Sequence, residues 1–390
     1  MQFTLFHLMP WPYLPGDFID RESSAWVTYS NSNFDPERGR ELYERYISEL
    51  VAGEDLGFDV ISVNEHHQTA YGLMPSPNLV AMALVQRTRA VKIAVMGNAI
   101  PLHDHPLRVV EEIGMLDLMS GGRIISGLVR GIGPEYHTFG VNPAYSEDRF
   151  REAHDLMIAA WTRPGPFSWD GEHYQVRYVN PWPLPLQKPH PPIWIPTQGS
   201  TSTLRWVAEN DHSLFQTFAP LEQIERTSAA FRQFVTEYGH EPDPMKMGWS
   251  LPVYVGKDDE TAMAEIAPHV EYLYRELVHR PFQGFLPPGY VARESFTKVM
   301  QTRGAISSER PTAELLDSRS QIIVGGPETV ARRLREAAER TGVGILAPLL
   351  QVGTMNAELT RASTLRFAEH VMPKLREFVP EAAERSAVRR

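Results

Sequence analysis

The chain has 390 residues, a formal net charge of −10, and hydrophobic and charged fractions of 42% and 22%, all ordinary for a folded globular protein. The acidic balance argues against a nucleic-acid partner, whose phosphates require a positive surface, and no stretch approaches the ~20 apolar residues that span a bilayer. Zero cysteines exclude disulfides, thiolate metal sites, iron–sulfur clusters and a cysteine nucleophile, and the opening MQFTLFHLMP lacks the basic start of a signal peptide, so the expected compartment is the cytoplasm.

A first strand is expected near residues 3–8, followed by a loop holding Trp11, Pro12 and Pro15. Asp35 as cap and Pro36 in the first helical position then open a helix. Its Leu42, Tyr46 and Leu50, with Tyr43, Ile47 and Val51, form an apolar stripe at 3.6-residue spacing, and Gly57 can end it. The β-branched run at 60–64 reads as a buried strand and ends on Glu65, His66 and His67. A helix from Ser76 and Pro77 to about Thr88, a strand near 91–98, a helix from Pro106 to about Met119 and a strand near 123–129 follow. This alternation means parallel strands joined by crossover helices.

A further amphipathic helix opens at Ser146, and residues 163–191 then break the rhythm with prolines and aromatics; WDGEHYQVRYV suggests an inserted Asp-Gly hairpin. Strands are expected near 193–197, 213–218, 247–255 and 345–350, with helices from about Ser202, near 221–238, over 259–279, and in ETVARRLREAAERTG after Gly326 and Pro327. Residues 280–320 show no strong periodicity, and a connection of that length suggests a lid. Eight strands alternating with helices predict a single (β/α)8 TIM barrel domain over 1–390. The alternative, an open doubly wound sheet, lacks support, because no GxGxxG follows any strand and a bare GxG such as Gly131-Ile132-Gly133 is too weak a signal.

In such a barrel the strand ends at 65–67, 98, 130–131 and 197–200 share one rim, where catalytic groups gather. Arg130 offers a positive fork suited to phosphate, or alternatively is a surface residue paired with Glu135. Gly199, Ser200 and Thr201 precede a helix whose free N–H groups favour an anion, which with Arg130 makes a candidate phosphate cradle. Asn98, after Gly97, either reads the edge of a heterocycle or is a satisfied loop amide. Adjacent histidines point in different directions, and the pair His103 and His105 runs into Pro106, so a metal site is not expected; a single rim histidine acting as acid, base or donor fits better.

Taken in order, LGFDVISVNEHH, HPLR, LDLMSGGRI, LVRG, KPHPPIWIPTQGS, GGPETVARRL and VMPKLREF resemble the bacterial-luciferase-like, flavin-dependent monooxygenases over nearly the whole chain. The resemblance implies that His66 sits beside the flavin's reactive edge and handles a proton. It also implies that Asn98 approaches the ring after a cis bond between Gly97 and Asn98, and that Arg130 with Gly199, Ser200 and Thr201 holds the FMN phosphate. Val129, Pro196 and Gln198 depart from luciferase itself, which puts light emission in doubt, although Val129 and Gln198 still fall within the expected cofactor site. The implied reaction uses reduced FMN from a separate reductase and O2 to oxygenate a small organic substrate through a flavin C4a-peroxide, and a homodimer is expected. Trp11, Trp194, Phe218 and His137 are candidate lining residues of the substrate pocket. The rivals are a deazaflavin-dependent dehydrogenase on the same barrel and a non-catalytic luciferase-like partner subunit.

Overall fold

The computed structural model describes residues 1–281, 286–290, 311–378 and 380. Its strands are β1 (Gln2–Phe6), β2 (Val60–Val63), β3 (Lys92–Ala99), β4 (Ile124–Val129), a hairpin of β5 (Phe167–Asp170) and β6 (Gln175–Val179), then β7 (Ile193–Thr197), β8 (Ser213–Thr217), β9 (Met247–Val255), β10 (Ile323–Gly325) and β11 (Ile345–Leu349). The order β9-β11-β1-β2-β3-β4-β7-β8, closed by pairing of β8 with β9, makes an eight-stranded parallel barrel from the eight strands expected. The short β10 lies outside that expectation and pairs only with Val253, Tyr254 and Val255 at the upper end of β9. The antiparallel hairpin appears where the Asp-Gly signal placed it.

The helices to β9 and just beyond are α1 (Phe18–Arg21), α2 (Pro36–Asp55), α3 (Pro77–Arg87), α4 (Pro106–Ser120), α5 (Gly133–Phe139), α6 (Ser146–Thr162), α7 (Thr201–Glu209), α8 (Leu221–Glu237) and α9 (Asp259–Tyr272). The start of α2 shows why local sequence is obeyed. The Asp35 carboxylate accepts from the N–H groups of Glu37 and Arg38 at 3.0 and 3.2 Å, and Pro36 fills the position that has no N–H to lose. Instead of running on to 279 as one α-helix, α9 passes into a π-helical turn, Leu273–Leu277.

Side-chain alternation sorts the barrel wall. Leu5 and Ile61 meet Gly53 on α2 and so face outward, which turns Thr4, Phe6, Val60 and Ser62 inward. On the far side Gln216 donates to Ser228 on α8 at 3.0 Å, which turns Phe215 and Thr217 inward; Trp194 stacks on Phe215 at 4.9 Å between centroids. At the upper end of β3 the backbone carries a cis peptide between Met96 and Gly97, correcting the expected bond between Gly97 and Asn98. Glycine is needed there because a Cβ on Gly97 would lie 2.3 Å from the carbonyl carbon of Gly127 on β4.

Most of the expected lid, 280–320, lies outside the described residues. Within it, Tyr290 is seen against the rim, its hydroxyl donating to the carbonyl of Gly131 at 2.6 Å.

Candidate active site

The strand end at 65–67 divides three side chains between two tasks. Glu65 is 3% exposed and works structurally: it accepts from His67 Nε2 at 2.8 Å and from the Ala99 N–H at 3.1 Å, with His103 Nε2 3.3 Å away. Burial alone would raise its pKa, but the hydrogen bonds from His103 and His67 win and hold it down at about 2. His103 answers in kind: burial opposes its charge, the Glu65 carboxylate favours it, and the net direction is upward. Thus Glu65, His67 and His103 tie the ends of β2 and β3 together.

His66 is held differently. Its Nδ1 lies 2.9 Å from Oε1 of Glu135, a residue only 1% exposed, whose other oxygen accepts the Ile132 N–H at 2.8 Å. Because the carboxylate accepts, the proton belongs on Nδ1, and Nε2 takes no part in that bond. Trp26 and Tyr71 enclose the ring at centroid distances of 5.2 and 5.0 Å and stack on each other at 5.1 Å. The Trp26 indole is itself fixed by donating to the carbonyl of Leu277 at 2.8 Å.

At the next strand ends, Arg130 stacks on the Tyr290 ring at 4.2 Å, and its guanidinium lies 3.6 Å from Glu147. Of the two readings left open, its pairing with Glu135 is therefore not the one realised, since Glu135 belongs to His66. Glu147 also pairs with Arg151 at 2.6 Å, so two arginines share one carboxylate and the group keeps a positive charge. β7 lies directly beside β4, which brings Gln198, Gly199, Ser200 and Thr201 to the same part of the rim. Gly199 has φ 83°, Ser200 caps α7 by accepting from Thr203, and the remaining N–H groups of that first turn have no acceptor within the helix. Arginine plus helix start is a set of donors that fits a phosphate ester.

The other expected residues are placed as follows. Asn98 is buried and exchanges amide hydrogen bonds with Asn78 at 3.0 and 3.4 Å, the satisfied-amide reading. Val129 packs with Ala99, Leu102, Tyr136 and Tyr290. Gln198 donates to Thr217 from an exposed position. Trp11 is buried against Tyr13 and Phe34, Trp194 lies inside the barrel, Phe218 stands 6.4 Å from Phe6 at a positive φ, and His137 is exposed on α5. The place of Glu135 beside His66, and Trp26 and Tyr71 altogether, escaped the sequence reading; a Glu three residues into a Gly-Pro helix start was the available signal for the first, whereas nothing local marks the other two.

The chain matches the luciferase-like monooxygenase family over residues 25–344. It is 24% identical over 355 residues to the alkanal monooxygenase alpha chain of Photobacterium leiognathi, covering 87% of this chain and 96% of that one. Among solved structures, the oxygenating constituent of 3,6-diketocamphane monooxygenase from Pseudomonas putida, in complex with FMN, superposes with a TM-score of 0.71 at 20% identity, covering 98% of this chain and all of that one. A coenzyme F420-dependent secondary alcohol dehydrogenase has a TM-score of 0.68 at 16% identity, covering 96% and 99%. At such identities the structural likenesses speak for the barrel alone, but the family match covers most of the sequence, and the chain belongs to the luciferase-like monooxygenases, a family of oxidoreductases.

Proposed function

We propose that this protein is the oxygenase component of a two-component system, receiving reduced FMN from a separate flavin reductase and oxygenating a small organic substrate. The observation that carries the reading is the pairing on one rim of a phosphate anchor, Arg130 with the start of α7, and a histidine oriented by a buried carboxylate, His66 with Glu135. Bound reduced FMN would supply the electrons that activate O2 for insertion of one oxygen atom. Arg130, Ser200 and Thr201 hold the phosphate; Glu135 keeps the His66 proton on Nδ1 and presents Nε2 to the reacting centre as donor or proton carrier. Trp26 and Tyr71 exclude water from that side, which favours oxygen transfer over release of H2O2.

A deazaflavin dehydrogenase would share the barrel, and titration of the purified protein with each cofactor separates the two. Arg130→Ala should weaken FMN binding by ~1.5–3 kcal/mol, the scale of a charge-assisted hydrogen bond, and leave riboflavin affinity unchanged. Equal loss for both ligands would count against the phosphate role.

We further propose a cytoplasmic homodimer. No helix among the described residues is long and apolar enough to cross a membrane. Met115, Leu118 and Met119 on α4, Leu79 on α3, and Leu186, whose side chain lies beside Gly122 just past α4, are exposed large apolar side chains. Sedimentation equilibrium should give twice the chain mass of 44.2 kDa, and Met119→Glu should shift it toward the monomer.

A further inference from the structure

The interior of the barrel has two unlike walls. Trp194 and Phe215, on β7 and β8, make one wall aromatic. The strands β9, β11, β1 and β2 are consecutive in the sheet, and four buried side chains on them or at their ends carry an oxygen with no hydrogen-bond partner: Thr4 Oγ1, Asn64 Oδ1, Ser250 Oγ and Gln351 Oε1. The inward alternation Val60, Ser62, Asn64 and Ala347, Leu349, Gln351 brings the two amides to mouth level, immediately past the ends of β2 and β11. They flank β1, half-way round the ring from the phosphate anchor at β4 and β7.

Both amides are deeply enclosed, Asn64 at 5% and Gln351 at 2% exposure. The Gln351 Nε2 donates to the Gly353 carbonyl at 3.0 Å, which fixes its Oε1 as the free acceptor. The turn at Gly353 abuts the end of α9, since a Cβ there would lie 2.2 Å from the His269 carbonyl oxygen and 3.4 Å from the Leu273 nitrogen. The adjoining π-helical turn carries Tyr274, whose enclosed hydroxyl is likewise without a partner and whose neighbour Tyr71 lies against His66. Burial pushes the Tyr274 pKa upward, so it stays a donor. Leaving such groups unmet costs about 1–3 kcal/mol each, which a ligand of matching polarity offsets.

We propose that Asn64, Gln351 and Tyr274 form the polar subsite of the substrate pocket, and that it takes a carboxamide-like group: one that donates to two amide oxygens and accepts from a phenol. This rests on reading the mouth as the substrate site. The probes are benzamide and its near-isostere acetophenone, which accepts but cannot donate, titrated calorimetrically into protein with and without FMN. Wild type should bind benzamide about ten-fold more tightly than acetophenone. Asn64→Leu and Gln351→Met should each bring that ratio toward one, Tyr274→Phe should weaken both probes alike, and FMN affinity should stay unchanged in all three.

Equal affinity for the two probes in wild type, no binding of benzamide, or a ratio unmoved by the amide variants overturns the proposal. So does a parallel loss of FMN affinity, which would mean that the amides hold the cofactor. The wild-type ratio stands as the test by itself if a variant fails to fold. Failure of wild type to bind FMN would instead sink the oxygenase reading, while the probe comparison without cofactor remains valid.

Discussion

Histidines gather at both ends of this barrel, and the partners they meet there differ in kind. At the C-terminal mouth each is offered a carboxylate: Glu135 to His66, and Glu65 to His67 and His103. At the other end, before β7 and β8, His190 and His212 sit beside His154 of α6, and the pair His154 and His212 face each other through Nε2 atoms 2.8 Å apart. Asp155 holds the Nδ1 proton of His154 at 2.9 Å, so His212 donates and His154 accepts through its other ring nitrogen. Burial, then the nearby His154, drives His212 down to about 3. One residue type thus meets carboxylates at the mouth and another base at the opposite end.

The sharpest way to break this contrast is to remove the mouth histidine alone. His66→Ala should still bind FMN, because Arg130 and Ser200 are untouched, yet yield of oxygenated product should fall by ~10²–10⁴ while reduced FMN and O2 are still consumed and H2O2 accumulates. Unchanged product yield would remove His66 from the mechanism. Glu135→Gln tests orientation without deleting the imidazole. Product formation should drop by about 10- to 100-fold, the scale of losing a carboxylate that orients a working histidine, with FMN affinity retained; equal activity in both proteins would make Glu135 merely structural.

Stability should read the two ends with opposite sign. Between the unfolded value of 6.5 and the folded value of about 3, the unfolded chain takes up a proton at position 212 that the native state refuses. Acidification therefore favours unfolding, by roughly 2 kcal/mol from pH 6.5 to pH 5 for this group. His103, raised in the fold, stabilises fully below 6.5 and loses that contribution as the pH rises through its raised value. Urea midpoints should show His212→Gln flattening the acid side of the profile and His103→Gln lowering the stability advantage at low pH. Matching slopes for both variants would mean that the two ends do not differ as claimed.

Much of this was legible in the chain itself, for physical reasons that also mark the limit. A strand covered on both faces must be apolar throughout, so VISV and its counterparts announce themselves, and their alternation with capped helices leaves few architectures. Arg130 and His66 stood out because a charged or titratable side chain directly after an apolar core strand is unusual. The partner of His66 was not, since Glu135 lies 69 residues away and only closure of the barrel brings them together. The alternative that paired Glu135 with Arg130 followed proximity in sequence where geometry chose otherwise. The cis bond lies one residue earlier than expected, between Met96 and Gly97, and the tight passage of Gly97 past Gly127 across β3 and β4 belongs to the pair of strands rather than to either segment. Three-residue β10 borrows its pairing wholly from β9 and has no periodicity to show.

The edge-on contact between Trp26 and His66 has an optical consequence. A protonated imidazole quenches indole emission more strongly than a neutral one, so the protein carries a reporter beside its proposed proton carrier. Comparing the fluorescence of wild type and Trp26→Phe across pH, with no flavin, reductase or substrate present, would turn a packing contact into a readout of the imidazole beside it.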